Sequence, residues 1–248
     1  HMLHLDISYI KSIYINQKKY INISALVMSL ASLLMMSSCG AQEPEDKNDE
    51  FEAYTEELFC SEVSANTISL HYTLKNPEDY GISEKEITMG SFDTDDETIK
   101  ASVENMKQSL QAFDHDELDL QNKITLDILR YQTKAAEQRA DYLLYEEPLG
   151  LVSGVQTQFP VVLSEYRFYD RQDVDVYLEL LETTDDYFDS LIKFEREKAA
   201  AGLFMADYAL DTVVEQCKAF LDMGDGNYLY STFAERIQEV EELTEEEK

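Results

Sequence analysis

The sequence predicts a mostly α protein, an antiparallel helical array with one irregular crossover and little or no strand. Three observations carry this. Apolar residues recur at helical spacing through most of residues 51–248, acidic or hydroxyl caps precede several of those runs, and the connections between them are short. One stretch breaks the pattern, Pro148 to Phe168, which holds Gly150, Gly154 and Pro160 and ends in Glu165-Tyr166-Arg167-Phe168. It reads as the irregular crossover.

The elements follow in order. Phe51, Tyr54, Leu58 and Phe59 share one helical face behind an acidic start. Ile68, Leu70, Tyr72 and Leu74 alternate with Thr67, Ser69, His71 and Thr73, a period of two that predicts an extended segment closed by Asn76-Pro77 and Gly81. Thr94-x-x-Glu97 reads as a capping box for a helix burying Ile99, Val103, Met106, Leu110 and Phe113. A long helix is expected from about Asp119 to Tyr145, with Ile124, Ile128, Tyr131, Ala135 and Tyr142 inward, ended by Glu146-Glu147-Pro148.

Beyond the crossover, Asp170-x-x-Asp173 opens a helix with Val174, Tyr177, Leu178 and Leu181 inward. Thr184-Asp185-Asp186 opens the next, with Phe188, Leu191, Ile192 and Glu195 following and Gly202 where a C-terminal cap belongs. Asp207 starts a helix using Leu210, Val214, Cys217 and Leu221 that ends at Gly224-Asp225-Gly226. Ser231-Thr232-x-x-Glu235 predicts a further helix start, and Leu243-Thr244-Glu245-Glu246-Glu247 a fresh capping box. A helix start so close to Lys248 predicts that residues 51–248 are the N-terminal part of a longer domain.

The first 38 residues read as an export segment. Lys18 and Lys19 precede an apolar run from Ile21 to Met36, and Ser37-Ser38-Cys39-Gly40 follows. The run is short for a spanning helix, so the expectation is a bacterial lipoprotein signal, with Cys39 lipidated and anchored to the outer face of the cell membrane. Residues 39–50 are charged and lack an apolar period, which predicts a flexible acidic tether.

Charge and motif content exclude several functions. With 20 Lys+Arg against 51 Asp+Glu the net charge is −31, a surface that repels phosphate backbones, so nucleic acid is not a partner. Outside the export segment the histidines are His71 and His115 alone, without metal-ligand spacing, and there is no HExxH run, nucleophile elbow or phosphate loop. The aspartate clusters Asp93-Asp95-Asp96, Asp114-Asp116 and Asp173-Asp175 lack the glycine and glutamate of a calcium loop and read as helix caps. Cys60 and Cys217 are too few to make a disulfide framework. No catalytic or metal residue is assigned. Gln156, Gln158, Glu165, Tyr166 and Arg167 are the candidate substrate-binding groups, able to orient a peptide backbone or terminal carboxylate; alternatively they tie the crossover to its neighbours.

Four motifs, Leu70-His71-Tyr72-Thr73-Leu74, Gly154-Val155-Gln156-Thr157-Gln158-Phe159-Pro160, Glu165-Tyr166-Arg167-Phe168 and Ala201-Gly202-Leu203-Phe204-Met205, carry a resemblance. Together they resemble the bacterial domain of unknown function 885 family over residues 51–248. The resemblance implies an exported lipoprotein related to zincin-type, carboxypeptidase-like metallopeptidases. It implies a zinc site on a His-Glu-x-x-Pro-Gly-His helix in the C-terminal half, and no position here matches that run. The part present would wall one side of a peptide cleft. The alternative is a self-sufficient helical lipoprotein that binds a peptide or another ligand without catalysis.

Overall fold

The structure is a computed structural model that describes residues 46–83 and 86–248. The export segment and Cys39 lie outside the described residues. Nine α-helices and several short 3-10 turns account for the regular structure there, and no strand occurs among the described residues. None of the described helices is long and apolar enough to cross a membrane. Where the sequence reads as one helical domain, the described residues form two compact units, 46–83 with 90–143, and 86–89 with 144–248.

In the first unit, α1 (Lys47–Val63) begins inside the stretch expected as tether, because the Asp46 side chain accepts from the Asn48 N–H and caps it. Helix α2 (Thr67–Thr73) overturns the extended reading of 67–74. A lone strand leaves every N–H and C=O without a partner, whereas a short helix satisfies its own, and the Asn66 side chain accepts from the Ser69 N–H at 2.8 Å to start it.

Helix α3 (Asp96–Gln111) buries Ile99, Val103 and Leu110 as expected, but its cap is Asp95, which accepts from the Glu97 and Thr98 N–H groups; Thr94 does not serve. Helix α4 (Leu120–Arg139) packs on α3 and α1. It is shorter than expected, continuing as a 3-10 stretch over 140–145 that kinks at Tyr142. Phe51, Leu110, Phe113, Leu118 and Leu126 form the core of this unit, with Phe51 and Phe113 in an edge-on ring contact at 5.0 Å.

The inward face of α4 is Asn122, Leu126 and Thr133; Ile124, Ile128, Tyr131 and Tyr142 are exposed, the reverse of the expected orientation. The inner polar groups are satisfied, which is what lets them sit there. Asn122 donates to Asn48 and Glu52, and the Thr133 hydroxyl donates to the Leu129 carbonyl at 2.8 Å.

In the second unit, α5 (Val155–Ser164) occupies much of the stretch expected to be irregular, with Pro160 inside it. The irregular part is confined to the residues before Val155 and after Ser164. Helix α5 packs on α8 (Asp207–Asp222) and α9 (Tyr228–Gln238), and α6 (Arg171–Glu182) on α7 (Thr184–Ala200).

Asp170 caps α6 as expected, accepting from the Asp173 N–H. Val174, Tyr177 and Leu180 are buried, while Leu178 and Leu181 are exposed. Helix α7 buries Leu191, Phe194, Glu195 and Lys198 and exposes Ile192; Gly202 follows in the left-handed region with φ 76°. Helix α8 buries Val213 and exposes Val214, Cys217 and Leu221. Helix α9 starts at Tyr228, one turn before the expected Ser231, because Asn227 caps it by accepting from the Leu229 N–H. Thr244 and Glu247 do form their expected box contact, the Thr244 N–H donating to Glu247 at 2.9 Å.

Candidate functional site

The turn over residues 146–154 is fixed by side chains from three helices. Lys198 of α7 donates to the Glu146 carbonyl and pairs with Glu147 Oε1 at 2.9 Å. Gln156 of α5 donates to the Gly150 carbonyl and to Gln216 Oε1 (2.8 Å), and Gln216 of α8 donates on to the Leu151 carbonyl at 3.0 Å. The Val155 N–H closes the turn on the Pro148 carbonyl at 2.8 Å. These bonds satisfy carbonyls that no ladder or helix serves. Gly154 is required by contact: a Cβ there would meet Gln156 Oε1 at 2.0 Å and the Gly150 nitrogen at 2.3 Å.

Lys198 is fully buried, and Glu195 lies one turn before it on the same face of α7. Both Glu195 carboxylate oxygens are buried without a hydrogen-bond partner. Burial pushes this carboxyl above its ordinary range; the Lys198 charge opposes that shift and the Glu147 charge adds to it. A buried acid held toward its neutral form beside an ammonium is suited to keeping or exchanging a proton. Nearby, Phe159 of α5 stacks on Tyr187 at 5.3 Å and meets Phe188 edge-on at 5.1 Å. Burial pushes the Tyr187 hydroxyl up to about 12.

The chain leaves α5 through Glu165 in the helical region and then lacks regular structure through Phe168, with burial changing from residue to residue. Glu165 and Arg167 are exposed, while Tyr166 is buried and Phe168 half-buried. The Arg236 guanidinium of α9 donates to the Tyr166 carbonyl and lies 4.6 Å from the Phe168 ring centroid and 5.1 Å from that of Tyr177. Tyr177 and Phe233 stack at 5.8 Å, completing an aromatic enclosure for that cation.

The five candidate binding residues are therefore not gathered on one face. Gln156 is spent on the turn, Tyr166 is built into the core, Gln158 is half-buried on α5, and only Glu165 and Arg167 stand in solvent. Lys198, Glu195 and Arg236 were not singled out by sequence. For Glu195 a signal existed, a carboxylate in line with the apolar stripe of its helix.

Elsewhere, His71 lies in the last turn of α2, and His115 Nε2 lies 3.4 Å from Asp127. The aspartates act as expected: Asp95, Asp114 and Asp170 each cap a helical turn. Cys60 and Cys217 are both free thiols.

The family described as "Bacterial protein of unknown function (DUF885)" matches residues 79–248, well over half the chain. This chain belongs to the DUF885 family. No curated protein and no solved structure matches it significantly. The DUF885 match begins at 79, so Leu70–Leu74 precedes it, while the clamped turn, the Glu195–Lys198 pair and the aromatic enclosure all fall within it. Zinc does not fit the described part of this DUF885 chain, where no group of three or more His, Cys, Asp or Glu side chains could hold a metal ion.

Proposed function

We propose that this DUF885 chain is the N-terminal helical part of a membrane-anchored extracytoplasmic lipoprotein resembling zinc-dependent, carboxypeptidase-like peptidases, and that it walls a peptide cleft without doing chemistry itself. The observation that supports a binding role most directly is the split character of residues 146–168. Their inner groups are fixed by Lys198, Gln216 and Arg236, and Glu165 and Arg167 stand outward two residues apart. A rigid support bearing one carboxylate and one guanidinium suits a peptide with charged ends. Arg167 would take the terminal carboxylate through its planar fork, and Glu165 a cationic group. Anchoring through Cys39 is supported by the basic, apolar and small-residue order before it. The described residues hold no group of side chains that fits zinc, and the role proposed for them is binding.

Expressed with its export segment in a bacterial host, the chain should incorporate tritiated palmitate, and Cys39→Ser should abolish the label. Binding of a fluorescent tripeptide should weaken about tenfold in Arg167→Ala, the worth of one charge-assisted contact, and equally when the peptide is C-terminally amidated. Binding indifferent to both changes would sink the peptide role. Hydrolysis of the peptide by this chain with added zinc would overturn the non-catalytic assignment.

A further inference from the structure

We infer that the outer face of α4 is a docking surface for an acidic amphipathic helix. Leu120, Ile124, Ile128 and Tyr131 lie at i, i+4, i+8 and i+11 on that face, and they are 75%, 47%, 50% and 75% exposed. This is the stripe of a helix–helix seam, set on the side of α4 opposite its buried face of Asn122, Leu126 and Thr133. A helix with a satisfied inner face and an apolar outer one has a second contact to make.

Charge selects the occupant. Within a chain of net charge −31, α4 carries four basic residues against two acidic. Arg130 is spent inward on the Leu110 and Phe113 carbonyls, and Glu137 is paired with Lys107 at 2.7 Å. That leaves Lys123 and Lys134 beside the stripe, with Asp127 on its edge 3.4 Å from His115. Neither Lys123 nor Lys134 has an ion-pair partner among the described residues.

By contrast, the exposed apolar residues of α8, Tyr208, Val214 and Leu221, share their helix with Asp207, Asp211, Glu215 and Asp222. Helix α4 thus has a basic excess where α8, with Lys218 its one base, has an acidic one. An acidic helix with apolar residues along one side satisfies both the stripe and its lysines. A second copy would bring the same basic flank against this one.

The test uses two synthetic helical peptides of about three heptads, both with Leu at the a and d positions. One carries Glu at e and g, the other Lys. Titrated against the labelled chain at low salt, the Glu peptide should bind at least about tenfold tighter. Lys123→Glu with Lys134→Glu should reverse that preference, and Ile124→Asp with Ile128→Asp should abolish binding of both while leaving the far-ultraviolet circular dichroism unchanged. No binding, or equal binding of the two peptides, overturns the proposal. Concentration-dependent dimerisation, or pelleting with phosphatidylglycerol vesicles, that is lost in Ile128→Asp would assign the face to a second copy or to a membrane and overturn it equally.

Discussion

The first unit closes around Phe51, Leu110, Phe113, Leu118 and Leu126, whereas the second buries a whole lysine, Lys198, on the Glu146 carbonyl. The apolar cluster needs volume and shape and tolerates small exchanges among similar residues. The second arrangement needs each donor at one place, since a buried cation without its acceptor costs more than a lost methyl group. The lesson is one of error tolerance. Non-directional packing holds the first unit, while directional bonds fix an irregular turn in the second.

The largest effect that would sharpen this contrast is expected from Lys198→Ala, which strips the Glu146 carbonyl of its donor and Glu195 of its neighbouring charge. The loss should be about 4 kcal/mol, from the cavity left by the buried lysine stem and the unsatisfied Glu146 carbonyl, read by hydrogen exchange in peptides covering 146–164. A loss below about 1 kcal/mol would place Lys198 among ordinary surface pairs and erase the distinction. Next comes Leu126→Ala in the first unit, expected to cost about 3 kcal/mol through cavity formation and to loosen exchange in α3 and α4.

Glu195→Gln should act in the opposite direction. Burial raises the folded-state pKa of Glu195, so its contribution to stability declines as pH rises from the ordinary carboxylate range through the raised value. The variant should melt higher than the parent at pH 7, by about 1 kcal/mol of relieved burial, and match it near pH 4. Equal melting at both pH values would show that the carboxylate carries no burial cost.

The smallest effect belongs to Glu247. Bonds from the Thr244 N–H and hydroxyl, then Arg171, hold its carboxyl down to about 2. A lowered acid stabilises above its ordinary pKa and stops doing so as pH falls through the lowered value. Protection of the Thr244 amide, followed by NMR, should therefore fade between about pH 4.5 and 2, and Glu247→Gln should remove that pH dependence.

How far the sequence could be read depended on whether hydropathy and burial pointed the same way. In α3 they did, and Ile99, Val103 and Leu110 all turned inward. In α4 they were opposed: Asn122 and Thr133 face inward because Asn48, Glu52 and the Leu129 carbonyl satisfy them, while Ile124 and Tyr131 stay outside. No periodicity reveals a hydrogen-bond partner some 70 residues away. In α2, seven residues alternated as a strand would, and the cap at Asn66 was the better guide.

The candidate site was legible as a location but not as a set of side chains. Gly154 and Gln156 do mark a tightly constrained turn, yet the lysine that clamps it comes from α7. Glu165 and Arg167 are told from Tyr166 and Phe168 only by the contacts that hold the latter pair against the core, the Arg236 guanidinium and the Tyr177 ring.

The two thiols give the contrast a practical handle. Cys60 lies in α1, half-buried and 3.8 Å from the Tyr80 carbonyl, and Cys217 lies exposed on α8. Each unit thus carries its own free sulfhydryl. An alkylating reagent should reach exposed Cys217 without any opening of the fold, while half-buried Cys60 waits on local opening of its unit. With Cys39 replaced by Ser, the two remaining labelling rates would then time the breathing of one unit against the solvent access of the other.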